Sequence, residues 1–313
     1  MSNTPLAGGA EFDRIRAIAT ALGDRARELG NDTALVKLGD STVALSADVS
    51  VEGVHFRREW LSFEEIGWRA AAAALSDLAA AAAEPVGVLA ALTLPEREPE
   101  HSFVALMDGV GAAAAAVGGK VLGGDLSRGG AIQLAITVIG TATRPVRRAG
   151  ASPGDGVWVT GELGGARAAL TAFLAGREPD PAARARFARP EPRIAAGRWL
   201  AEQGARAMLD VSDGLAGDAG HLAAASNVAL VLELERVPCH PAVHAEAARA
   251  AEPDAVFAAK GGEDYELLVV LPPEYAGGAT FPLHRIGEVR AGAGLQLELA
   301  GEPVVLSGYE HFA

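Results

Sequence analysis

Residues 62–94 read SFEEIGWRAAAAALSDLAAAAAEPVGVLAALTL, and the way this stretch divides decides the fold class. Ser62 followed by Glu65 makes a capping box ahead of an alanine-rich helix, expected to run to about Ala83, with Pro85 marking its end. Residues 86–94 then read as a strand. The alanine runs resemble low complexity, but they lie in register with Leu75 and Leu78, so a packed helix is the physical reading. A helix feeding directly into a strand is an α/β signature, and the alternation continues on both sides. Upstream, Phe12, Ile15, Ile18, Ala19 and Leu22 form an apolar stripe at helical spacing, followed by β-rich runs at 33–38 and 42–47. Downstream, a second helix is expected over about 99–117. Ile132, Leu134, Ile136 and Val138 then alternate with Gln133, Ala135 and Thr137, the period of a strand with unlike faces.

The segment RPVRRAGASPGD at 144–155 breaks this periodicity with proline and glycine. Beyond it the mixture repeats, with strands expected at 157–160, 207–211, 229–234 and 267–271 and helices near 165–174, 193–202 and 215–225. A chain of 313 residues exceeds what one hydrophobic core usually supports. Two α/β domains are therefore expected, residues 1–145 and 146–313.

Composition excludes several function classes. The 40 acidic against 27 basic residues give a formal charge of -13, with no basic stripe, which opposes binding to nucleic acid. The single cysteine, Cys239, fits a reducing compartment, so the cytoplasm is expected. The longest apolar region, 70–94, contains Asp77, Glu84 and Pro85 and is no credible membrane span. The N-terminus offers neither a basic nor an apolar export region, and residues 1–9 read as a polar tail.

The chemistry-bearing feature is an aspartate recurring at strand ends or beside glycine: Asp32, Asp48, Asp77, Asp125, Asp210 and Asp213. Such carboxylates repel one another unless hard cations such as Mg²⁺ bridge them to phosphate oxygens, although turns and helix caps also favour aspartate. Glycine-rich loops are expected at Gly123–Gly124, before Asp125, and at Gly261–Gly262, where backbone N–H groups could cradle phosphate. No P-loop motif is present. Cys239, His240 and His244 have zinc-like spacing, but Pro238 and Pro241 interrupt the helix that would align them, so a solvated turn is expected. His55, in VEGVHF directly after Asp48, is a candidate substrate contact, and no Ser/His/Asp arrangement emerges from spacing.

Eight blocks taken together resemble the thiamine-monophosphate kinases, relatives of aminoimidazole ribonucleotide synthetase, selenophosphate synthetase and a hydrogenase maturation factor. They are GNDTALV from Gly30, SADVSVEGVHFRREW from Ser46, LSDLAA from Leu75, GGD from Gly123, RAGASPGD from Arg148, LDVSDGLAGDAGHLA from Leu209, GGEDYEL from Gly261 and GYEHF from Gly308. The resemblance implies an N-terminal AIR synthase-like domain whose sheet pairs with that of a second subunit in a homodimer. It also implies a C-terminal domain of related fold and ATP bound near the junction. The implied reaction passes the γ-phosphoryl group of ATP to thiamine monophosphate. A phosphate monoester is largely dianionic at pH 7, so no catalytic general base is expected, only neutralisation of charge.

By the same resemblance, Asp32, Ser46, Asp48, Asp77, Asp125, Asp210 and Asp213 would hold several Mg²⁺ ions, with Asp77 bridging. Gly124, Asp125, Arg148 and Ser212 would contact ATP, and His55, Glu263 and Tyr309 the thiamine phosphate. The chain departs from the family pattern at Asn31, commonly Asp, and at Ala47, Ala74 and Leu126. Each change is expected to remove an oxygen near a metal, rearranging Mg²⁺ binding rather than abolishing it. A related enzyme with another small substrate, or a nucleotide-binding protein without turnover, would share the same blocks.

Overall fold

The computed structural model describes residue 5 and residues 7–26 and 29–309. Residues 1–4 and 6 of the expected polar tail, and residues 310–312 of the GYEHF block, lie outside the described residues.

After a first helix, α1 (Ala10–Leu22), the chain forms the hairpin β1 (Ala34–Leu38) and β2 (Ser41–Val51). It continues through α2 (Phe63–Ala80), β3 (Glu84–Leu94), α3 (Glu100–Ala116), β4 (Lys120–Arg128) and β5 (Gln133–Thr141). The strands make a mixed sheet in the order β1-β2-β5-β3-β4. The second unit begins with β6 (Gly156–Thr160), α4 (Gly165–Leu174), α5 (Pro181–Ala188), α6 (Ile194–Glu202), β7 (Ala207–Asp210) and α7 (Leu215–Ser226). It ends with β8 (Ala229–Glu233), α8 (Val243–Ala250), α9 (Asp254–Ala259), β9 (Leu267–Leu271), β10 (Leu283–Arg290), β11 (Gly294–Leu299) and β12 (Glu302–Val304). Its sheet runs β12-β11-β8-β10-β6-β9-β7. No described helix is long and apolar enough to cross a membrane.

The capping box that starts α2 is present: Glu65 N–H donates to Ser62 Oγ at 3.2 Å and Ser62 N–H to Glu65 Oε2 at 2.9 Å. The helix stops at Ala80, short of the expected Ala83, because Ala82 turns left-handed (φ 55°) and Ala83 N–H closes back on Leu78 O at 2.8 Å. Pro85 does not end the helix but sits within β3, at a register irregularity against β5.

The alanines of α2 bury the helix on nearly every side, and glycines set how closely its neighbours approach. A Cβ on Gly67 would lie 1.9 Å from Leu106 O of α3, one on Gly109 2.0 Å from Glu64 O, and one on Gly197 of α6 2.1 Å from Ala79 O. Thus α2 joins the two units, packing on β2 and β5 of the first and on α5, α6 and β7 of the second.

One expectation fails outright. Gly123 and Gly124 do not form a phosphate-cradling loop; they lie inside β4. The reason is strand pairing: a Cβ on Gly124 would meet Ala90 O of β3 at 1.8 Å, so the close approach of the two strands itself demands glycine.

Candidate active site

A cavity of about 580 Å³ opens where the two units meet. Asp48 enters it from the second half of β2, Asp77 from the last turn of α2, Asp210 from the end of β7 and Asp32 from the loop before β1. One carboxylate oxygen from each of Asp32, Asp77 and Asp210 lies within 4.8 Å of the other two. Ser46 stands behind the group, its Oγ donating to Asp77 Oδ2 at 2.5 Å.

This cluster is electrostatically frustrated. Withdrawal from water, and then the charges of Asp210, Asp48 and Asp32, push Asp77 well above the usual carboxylate range. Burial and the neighbouring Asp32 raise Asp210 to about 7. Arg148 offsets part of this charge: its Nε donates to Asp32 Oδ1 at 3.0 Å and its Nη2 contacts the same oxygen. Behind Asp213, Asp218 accepts the Asp213 N–H at 3.2 Å; burial first and the Asp213 and Asp210 charges next raise it far above its ordinary value.

The far wall carries groups of a different kind. His55 Nδ1 accepts the Val51 N–H at 3.0 Å, which selects the tautomer with its proton on Nε2. Glu263 and Tyr265 flank the buried Asp264, both with left-handed backbones (φ 66° and 53°). Their N–H groups donate to Ser212 O at 2.7 Å and Val211 O at 2.9 Å, and Asp264 accepts the N–H of Gly164 at 2.7 Å. Non-glycine residues hold such conformations only where the surroundings over-determine them, commonly at functional sites. Tyr309 docks beside this loop, its N–H on Asp213 O at 2.8 Å.

Ten sequence-named residues therefore line one cavity: Asp32, Asp48, Asp77, Asp210, Asp213, Ser212, Arg148, His55, Glu263 and Tyr309. Gly124 and Asp125 do not. Asp48 pairs with Ile136, Ile136 with Ala90 and Ala90 with Gly124, so Gly124 lies three strand spacings from Asp48, about 14 Å. Asp125 occupies the next row on an edge strand exposed along its whole length. Of the departures, Ala47 faces away from the cluster and Leu126 lies on the far edge strand. Ala47 is exposed on the face of β2 opposite Ser46 and Asp48, and Leu126 is exposed on β4, so neither removes an oxygen from this chain's aspartate group. His240 is buried and His244 is exposed against Asp254 at 3.0 Å; the zinc-like spacing gathers no metal-capable group among the described residues.

Comparison with known proteins shows the family. The family model for the AIR synthase related protein N-terminal domain matches residues 30–142, and that for the C-terminal domain matches residues 152–300. A thiamine-monophosphate kinase of Aquifex aeolicus is 34% identical over 307 residues, covering 96% of this chain and 98% of its own length. The thiamine-monophosphate kinase of Escherichia coli is also 34% identical, over 96% of both chains. This chain belongs to the thiamine-monophosphate kinase family.

Among solved structures of thiamine-monophosphate kinases, one described as AaThiL complexed with AMPPCP and TMP superimposes with a TM-score of 0.89 at 33% identity, covering 97% of each chain. The hydrogenase maturation protein HypE in complex with ATP shares the fold at a TM-score of 0.73 and 21% identity.

Sequence reasoning missed several cavity residues, among them Trp60, Arg69, Arg167, Lys260 and Tyr265. Arg69 was within reach. Residues 69, 73 and 77 follow one another at helical spacing, so one face of α2 presents Arg69 and Ala73 in line with Asp77, and all three line the cavity. Arg167 and Lys260 carried no such signal, since tertiary packing alone brings α4 and the end of α9 to the same wall.

Proposed function

We propose that this chain transfers the γ-phosphoryl group of ATP in line to the phosphate of thiamine monophosphate, giving thiamine diphosphate and ADP. The observation that carries the reading is the like-charged group Asp32, Asp77 and Asp210, sharing one cavity with His55, Glu263 and Tyr309. In the reaction an oxygen of the acceptor phosphate bonds to the γ-phosphorus while the bond to the β,γ-bridging oxygen breaks, its electrons leaving on ADP. The acceptor is already anionic, so no side chain needs to remove a proton.

The donor set fits Mg²⁺: hard carboxylate oxygens, two of them raised first by burial and then by mutual repulsion, a charge that a divalent cation would offset. Asp32, Asp48, Asp77, Asp210 and Asp213 would hold it, with Ser46 orienting Asp77. When bound it supplies charge neutralisation between the two phosphates. Arg148 and Ser212 are assigned to ATP, the Arg148 fork offsetting phosphate charge. His55 presents an N–H to the acceptor, and Glu263 and Tyr309 face its cationic ring.

The reading extends to the assembly. Leu38, Val49, Val86, Leu89 and Leu122 are large apolar residues of the first sheet left 36–62% exposed, an apolar patch of the kind a subunit interface covers. A homodimer built on this sheet would let the Gly124 and Asp125 of one subunit serve the site of the other. The domain boundary is placed at 145/146, between β5 and β6, and the enzyme is assigned to the cytoplasm, where Cys239 stays reduced.

The test is ³¹P NMR of purified protein with Mg-ATP and thiamine monophosphate, with EDTA and no-acceptor controls. Metal-dependent appearance of thiamine diphosphate and ADP is expected, and Asp77→Asn should lower the rate by about 100-fold or more. ATP bound but left intact would favour a protein without turnover, and ADP without thiamine diphosphate would point to another acceptor; either result sinks the assignment.

A further inference from the structure

Arg69 is absent from the scheme above, yet its side chain is only 5% exposed, less than those of Arg148, Arg167 and Lys260 at the same cavity. It rises from α2 two turns before Asp77 and reaches into the second unit. Its guanidinium lies over the Phe187 ring, 4.0 Å from the centroid, and its Nη1 donates to Phe187 O. Its Nη2 forms an ion pair with Glu263 Oε1 and, withdrawn from water, makes no hydrogen bond of its own.

Two independent restraints thus converge on Glu263. The backbone is held in the left-handed region by the N–H bond to Ser212 O, and the carboxylate is held by a cation that is itself clamped on Phe187. Arg69 belongs to one unit and its two partners to the other, so the direction of the Glu263 carboxylate depends on how the junction closes.

We infer that Arg69 is a positioning residue that aims the Glu263 carboxylate at the cationic ring of the acceptor substrate, setting affinity for that organic cation and not for ATP. The inference rests on the thiamine monophosphate reading of Glu263. The guanidinium fork serves Phe187 O and Glu263 together, whereas a lysine ammonium is a single point of charge.

The experiment is steady-state kinetics on the full chain with Arg69→Met, Arg69→Lys, Glu263→Gln and the double variant Arg69→Met/Glu263→Gln. Arg69→Met should raise KM for thiamine monophosphate by about tenfold or more while KM for ATP stays within about twofold, and Arg69→Lys should fall between it and wild type. In the Glu263→Gln background, Arg69→Met should add less than about twofold, because two residues acting through one contact are not additive. A purely structural arginine would change both KM values together, or multiply its effect on that of Glu263→Gln, and either pattern overturns the inference. If Arg69→Met does not fold, as circular dichroism would reveal, an unchanged KM for thiamine monophosphate in Arg69→Lys overturns it equally. Wild-type protein that forms no thiamine diphosphate removes the functional reading and this inference together; active wild type with unaltered Arg69 variants removes the inference alone.

Discussion

His221 illustrates how one side chain can couple stability to pH. It lies in α7, 5% exposed, its ring 3.8 Å from that of Phe12 in α1, with no hydrogen-bond partner for Nδ1. Burial, reinforced by Arg148 and Arg16, lowers its pKa from 6.5 to about 4. The unfolded chain therefore binds this proton at a higher pH than the folded one. Stability from the neutral imidazole is complete above the unfolded pKa and is lost as pH falls from 6.5 to about 4. Chemical denaturation of wild type and His221→Phe across that range should diverge by on the order of 3 kcal/mol, the variant being the less acid-sensitive. Parallel curves would refute the role. Buried carboxylates such as Asp210 and Asp264, both raised to about 7, contribute with the opposite sign, and they cancel in the difference between the two proteins. His221 lies inside a stretch that carried the family resemblance, but nothing local marks it as buried. Its cover is Phe12, from the far end of the chain.

At the scale of elements, α2 positions the site, and glycine sets its fit. Gly67→Ala and Gly109→Ala each force a methyl into an opposing carbonyl at about 2 Å, and each should cost about 1–3 kcal/mol. Gly111→Ala is the internal control. It lies on the same helix, α3, where the added Cβ meets nothing closer than Val121 Cγ2 at 4.0 Å, and better helix propensity should leave the protein as stable or slightly more so. Equal thermal midpoints for all three variants would show that the α2–α3 crossing is not glycine-limited. The helix itself was legible because the capping box, the leucine register and Asp77 all lie within one window. So were α3, α4, α7 and the hairpin β1–β2. What escaped were elements too short to show a period, such as α9 with six residues and β12 with three. The strand β10 also escaped, because its bulge between Arg285 and Gly287 breaks alternation. The β4 glycines misled for a further reason: GG is the same signal whether a ligand or a neighbouring strand makes the close approach.

For the whole molecule, the decisive fact is that the aspartates read along the sequence separate in space into a group at the junction and Asp125 on an open edge. Linear spacing recorded that all were present but not which would gather, since that depends on a sheet order in which β5 and β3 intervene between β2 and β4. If two copies pack through this sheet, wild type should run in light scattering at twice 31.9 kDa. Leu89→Lys/Leu122→Lys, at exposed positions of β3 and β4, should shift it toward monomer with unchanged circular dichroism and lower turnover by about tenfold or more. Complementation decides whether Asp125 acts across the interface. Asp77→Asn and Asp125→Asn chains should each be nearly inactive alone, whereas co-expressed chains form mixed dimers in which one site carries both substitutions and the other carries neither. With random pairing, half of the dimers are mixed, and activity should return to about a quarter of wild type. If Asp125 served its own chain instead, every site in every dimer would carry a substitution and no activity would return.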